Sequence, residues 1–176
     1  MASIRFLAAA AIAVTALAPA SRALAATWSW HYGATGVSAA GTFTTTDNPD
    51  QDGYFTITAI TGSRNGVAIT GLQPAGSAIP GNDPYAVDNL VSVAGPQLSW
   101  NGFGYSLADG NWANPFSDGS VAWEYLSVPP YPQGLGQEIA VEFSATPVGE
   151  PGAGWLLLLG LAGIGAASRG RLLKNT

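Results

Sequence analysis

Few residues in this chain could carry chemistry. The only histidine, His31, stands between Trp30 and Tyr32. Nothing elsewhere reads as a nucleophile elbow, so a base has no nucleophile to activate. One histidine and no cysteine also exclude the common zinc sites. Glu124, Glu138 and Glu142 are the candidates for paired acid–base work on a glycosidic bond. Glu138 and Glu142, however, recur on one face of a strand, where solvated charge is ordinary. Asn48-Pro49-Asp50-Gln51-Asp52-Gly53 offers oxygen ligands at its first, third and fifth positions before a glycine, as a calcium loop does. The twelfth position, where such a loop needs a glutamate, is Ala59. Turn formation accounts for the same six residues. Trp28, Trp30, Trp100, Trp112 and Trp123 form a dense aromatic set. Exposed rings beside acidic acceptors would stack on sugars, whereas buried ones would build a core without disulfides. The sequence thus predicts no catalytic residue, no cofactor and no metal site. The expected role is non-enzymatic and structural, with carbohydrate binding as the alternative.

The segments that must position these residues read as strands and turns. Thr27 to Tyr32 alternates large aromatic with polar side chains, and Gly41 to Thr46 continues that pattern around Phe43. Tyr54 to Thr61 predicts a strand with Phe55, Ile57 and Ala59 on one face. Asn65-Gly66 supplies the positive φ of a tight hairpin and sets Arg64 beside an exposed tip. Leu72 to Asp88 is a loop long enough to be functional or to lie across the sheet. Asn101-Gly102 predicts a second hairpin between Gln97–Trp100 and Phe103–Ala108. Val121, Trp123 and Tyr125 alternate with Ala122, Glu124 and Leu126. In Gln137 to Thr146 the residues Ile139, Val141, Phe143 and Ala145 face in, and Glu138, Glu142 and Ser144 face out. Eight or nine short strands predict an all-β domain over 27–147, an antiparallel β-sandwich of jelly-roll or Greek-key type.

Charge is distributed unevenly. Among the six Lys and Arg residues, only Arg64 falls between Thr27 and Val148, against ten acidic residues there. Such a body repels phosphate backbones and anionic lipid, which argues against nucleic acid as a partner. With no cysteine, packing and backbone pairing alone must stabilise it.

The two ends read as addresses. Met1 to Arg5, the apolar run Phe6 to Ala18 and the small-residue site Ala23-Leu24-Ala25 make a secretory signal over 1–26, cut after Ala25 or Ala26 by signal peptidase. At the other end, over 148–176, Glu150-Pro151 precedes an apolar membrane segment at 152–168. Arg169, Arg171 and Lys174 then form a basic stop. Both apolar segments are expected as helices flanking the domain. This end resembles the PEP-CTERM sorting signal, with Gly149-Glu150-Pro151 where Pro-Glu-Pro is usual. The hairpin from Tyr54 to Leu72, followed by Asn82-Asp83 and Pro96-Gln97-Leu98, is similar to a segment recurring in exported PEP-CTERM proteins. The resemblance implies processing by an exosortase-type membrane protease in certain Gram-negative bacteria. It also implies transient membrane anchoring, then residence in the cell envelope or the exopolysaccharide matrix of a biofilm, with exopolysaccharide as a further partner.

Overall fold

The structure is a computed structural model and describes residues 26–149. The expected terminal helices therefore lie outside the described residues, as do Ala23, Ala25, Glu150, Pro151, Arg169, Arg171 and Lys174. Among the described residues there are nine strands and no helix: β1 (Thr27–Ala34), β2 (Val37–Thr45), β3 (Tyr54–Arg64), β4 (Val67–Leu72), β5 (Leu90–Ser92), β6 (Tyr105–Leu107), β7 (Trp112–Ser117), β8 (Ala122–Ser127) and β9 (Gln137–Pro147).

All of these strands pair antiparallel, and β9 returns to β1 with Trp30 opposite Ala145 and Tyr32 opposite Phe143. Eight strands thereby close into an up-and-down barrel, while β5 pairs with the start of β3 outside that ring. The expected sandwich is corrected here. A jelly roll or Greek key divides its strands between two sheets, whereas this single sheet has no open edge between β1 and β9. Alternation and turn spacing are the same in both architectures. Closure depends on a pairing between the first and last strands, and no local pattern announces it.

The inward positions are large. Trp28, Trp30 and Tyr32 of β1, Phe43 of β2 and Tyr105 of β6 are buried, while Thr27, Ser29 and His31 face water. On β9, Ile139, Val141, Phe143 and Ala145 pack toward the core, and Glu138 and Glu142 are exposed, as their alternation predicts. On β1 and β9 the wall is thus hydroxylic or acidic outside and apolar inside. Residues 73–104 leave the barrel between β4 and β6 and send Val91, Leu98 and Phe103 back into its core. Phe103 meets Phe43 at 5.0 Å, Trp30 at 5.9 Å and Tyr105 at 6.0 Å between ring centroids. Because β1 and β6 lie on opposite sides of the ring, this side chain spans the interior. An eight-stranded barrel is just wide enough for such filling.

Two local features differ from expectation. Thr44 pairs with Ala59, but Thr45 pairs with Ile57, so Thr58 is an extra residue in β3. A one-residue bulge exchanges the faces of everything beyond it. Ile57 is buried, yet Ala59 is exposed, and the inward face passes to Ile60, Gly62 and Arg64. Arg64 is therefore only 8% exposed. The turn beside it is the expected one. Asn65 and Gly66 have φ of 48° and 80°. The Asn65 side chain accepts from Ser38 N at 2.8 Å and donates to Gly36 O at 3.0 Å, joining this hairpin to the first. The second predicted hairpin does not form. Gly102 does take a positive φ of 61°, but it lies flat on β7, where Phe103 N donates to Pro115 O at 3.1 Å.

Arg64 is the one Lys or Arg among the described residues, and its side chain points into the barrel. Trypsin should therefore leave the folded body intact and cut it once, after Arg64, when it is unfolded. Rapid cleavage into two fragments under native conditions, followed by gel electrophoresis, would contradict the inward placement.

Candidate functional site

Glu124 sits on the inner face of β8 between Ala122 and Leu126 and is 0% exposed. Arg64 crosses from β3, on the opposite side of the ring, and clamps it. The Nε donates to Oε2 at 2.8 Å and Nη2 to Oε1 at 2.5 Å. Tyr32 also donates its hydroxyl to Glu124 Oε2 and shares a hydrogen bond with the Tyr105 hydroxyl. Both carboxylate oxygens are thus occupied. Burial, with Tyr105 and Glu124 adding to it, pushes the Tyr32 phenol well above its usual value, and burial likewise raises Tyr105. The Glu124 hydrogen bond holds Arg64 firmly charged. Glu124 and Glu138 line one cavity at the barrel wall, but the Glu124 carboxylate is fully paired within the interior, and Glu142 lies outside that cavity. The structure does not bring the three glutamates together.

His31 is exposed on the outer face of β1. In the Asn48–Gly53 loop, Asp50 Oδ1 accepts from Asp52 N at 3.0 Å and Tyr54 N at 2.9 Å, the geometry of a turn ahead of β3. No group of three or more metal-capable side chains occurs among the described residues.

The residues that do converge lie on the outer wall. Phe116 pairs with Trp123, Asn114 with Tyr125, and Tyr125 with Glu138, so alternation sets these five on one face across β7, β8 and β9. The 73–104 excursion runs over this face. Tyr125 donates to Gly81 O at 2.9 Å and Ser127 to Pro80 O at 2.5 Å, which straps the excursion to β8. Between strap and wall a cleft of about 230 Å³ opens, lined by Asn82, Tyr85, Trp100, Asn101, Asn114, Phe116, Trp123 and Glu138. It is smaller than the roughly 300–1,000 Å³ of most small-molecule pockets, so it admits one ring of a longer ligand.

Trp100 is 67% exposed and Tyr85 63% exposed at the rim of this cleft. The main chain around Trp100 is nevertheless fixed. Ser117 N donates to Ser99 O at 3.0 Å, and Asn114 Nδ2 donates to Asn101 O at 3.1 Å and Phe103 O at 3.0 Å. A Cβ at Gly102 would lie 1.8 Å from Pro115 O, so only glycine permits this approach. Asp118 holds the second indole, accepting from Trp123 Nε1 at 3.0 Å. Hydrogen bonds from Val121 N, Trp123 and Ser120 N keep the Asp118 carboxyl below its ordinary range. Trp100 and Tyr85 thus stand in water at the cleft, and the main chain around Trp100 is hydrogen-bonded in place.

Of the five candidate tryptophans, Trp100 and Trp123 meet here with Glu138, Trp28 and Trp30 build the core, and Trp112 lies half-buried on β7. Asn82, Tyr85, Asn101, Asn114 and Phe116 were not foreseen. The available signal was the length of the loop carrying Asn82 and Tyr85, together with a glycine after Asn101 that suggested a hairpin instead. Comparisons of the chain with family models, curated proteins and solved structures gave no match.

Two measurements test the interior cluster. Arg64→Met strands a buried carboxylate and should cost about 3–5 kcal/mol in chemical denaturation, whereas Arg64→Met with Glu124→Leu should recover most of that loss. Equal losses in both would show that packing, rather than an unpaired charge, sets the cost. Tyr32 and Tyr105 have folded pKa values raised above the unfolded value of about 10. Their stabilising contribution is complete below that pH and is lost as pH rises through the folded values. Phenolate absorbance from these two should therefore appear only as near-ultraviolet circular dichroism collapses. Full ionisation of all six tyrosines in a still-folded protein would contradict it.

Proposed function

We propose that this chain is an exported protein of the cell envelope or extracellular matrix whose barrel binds carbohydrate through the Tyr85–Trp100–Trp123 cleft. The observation that carries this reading is Trp100, two-thirds exposed on a pinned main chain beside amide and carboxylate groups. A pyranose presents an apolar face of C–H bonds and a rim of hydroxyls. The indole of Trp100 would cover the first, while Asn101 and Glu138 would take up the second. Recognition at such a surface needs no catalytic group, and the reading is of a binding protein rather than an enzyme.

The export half of the proposal rests on the two ends of the sequence. The signal-like segment would be removed by signal peptidase. The PEP-CTERM-like end would hold the chain briefly in the inner membrane for an exosortase-type protease. The outer faces of β1 and β9, hydroxylic and acidic, suit a protein released into water near polysaccharide. A purely structural role built on strand addition is less well supported, because closure between β1 and β9 leaves the eight-stranded ring without a free edge and the strand outside it, β5, has 3 residues.

Affinity electrophoresis through gels containing purified bacterial exopolysaccharide, followed by a glycan array, tests the proposal. Retention should fall by about tenfold or more in Trp100→Ala, the loss typical of a central aromatic contact. The melting temperature should hardly move, because this ring is not part of the core. Equal retention of variant and parent, or no retention of either on any glycan, would overturn it.

A further inference from the structure

The cleft also carries a charge preference. Resting on the carbohydrate reading above, we propose that it selects amino-sugar polymers bearing free ammonium groups over neutral glycans, and rejects uronic-acid and other anionic polymers. Glu138 is exposed at the cleft, and its carboxylate has no hydrogen bond or ion pair among the described residues. The neighbouring polar groups are already engaged. Asn114 donates to main-chain oxygens and accepts from Asn82 at 3.4 Å, and Asp118 is held by Trp123 and two amides. Glu138 is the charged group of the cleft left to meet a ligand.

An anionic sugar would find no partner. The one Lys or Arg among the described residues is Arg64, withdrawn into the barrel and bonded to Glu124. The surface that remains is acidic, and Asp83 beside Asn82 and Asp118 beneath Trp123 extend that field around the cleft. An ammonium group answers both features at once. It can pair with Glu138, and it is attracted to the electron-rich face of an exposed indole such as Trp100. Both contacts are exposed, so each is modest. Together they correspond to about fivefold tighter binding of a glucosamine oligomer than of its N-acetylated counterpart at low salt, and the difference should shrink as salt screens it.

Calorimetric titration of the purified protein with β-1,4-linked glucosamine hexamer, its fully N-acetylated form, cellohexaose and galacturonate hexamer tests this. The glucosamine oligomer should bind tightest, and galacturonate should not bind. Glu138→Gln should lower glucosamine affinity to that of the acetylated oligomer, abolishing the preference between the two. Trp100→Ala should weaken every oligomer that binds. Equal affinity for the glucosamine and acetylated oligomers, with Trp100→Ala still weakening both, would overturn the charge preference and spare the carbohydrate reading. A glucosamine preference untouched by Glu138→Gln would assign the effect to the acidic surface as a whole and overturn the role of this site. Absence of binding to all four oligomers, in parent and variants, would overturn both.

Discussion

The ion pair between Arg64 and Glu124 bridges opposite walls of the barrel, and much of the molecule follows from it. A guanidinium and a carboxylate removed from water are tolerable only when each satisfies the other, and here the two-point contact is completed by the Tyr32 hydroxyl. To make that contact, β3 must bring Arg64 to the inner face, which the extra residue at Thr58 achieves. The sheet must also close so that β3 and β8 stand across from each other. Below this polar layer the interior is aromatic, with Trp30, Phe43, Phe103 and Tyr105 in mutual contact. With no disulfide available, this combination of ring packing and one bridging pair holds the walls together.

The same pair shapes the exterior. Enclosing the one basic side chain of the body leaves an outer surface whose formal charges are all negative. Inside and outside are therefore linked through a single residue: what cross-braces the barrel also leaves its surface acidic. The cleft stands where this acidic exterior meets two exposed rings. Its parts come from the scaffold, through Phe116, Trp123 and Glu138, and from the excursion, through Tyr85, Trp100 and Asn101. Asn114 is the hinge pin between them, since its amide bonds to the excursion while its main chain belongs to β7.

The strands were legible in the sequence because alternation is local. β1 and β9 run as their aromatic and aliphatic spacing predicts, and Asn65-Gly66 turns where its φ preference requires. The closed barrel was not legible, because the β1–β9 contact links positions more than a hundred residues apart. Arg64 was misplaced for a smaller reason: a bulge adds one residue without any marker in composition, and the face of every later side chain changes with it. For the cleft, the tryptophans and Glu138 could be named as candidates, but which rings were buried depended on where residues 73–104 came to rest. Asn101-Gly102 shows how this happens. Its glycine has the conformation expected of a turn, yet that conformation serves close docking on Pro115 instead of a hairpin.

The extra residue at Thr58 has a consequence for how this chain can vary in length. Deleting the extra residue would restore a regular strand and leave Arg64 facing inward, whereas deleting one residue between Ala59 and Arg64 with the bulge kept would turn Arg64 outward, abandoning Glu124 inside the barrel. A pair of deletions would keep the faces but draw the Asn65 turn away from Ser38 and Gly36. The register of β3 is thus closed to drift. The excursion obeys no such parity, because Gln73 N and Gly104 O join at its neck at 2.8 Å whatever length of chain lies between them. Descendants of this protein can therefore gain or lose residues around the rings of the cleft while the barrel that carries them stays the same length. Diversity in length will accumulate there, and β3 will remain fixed.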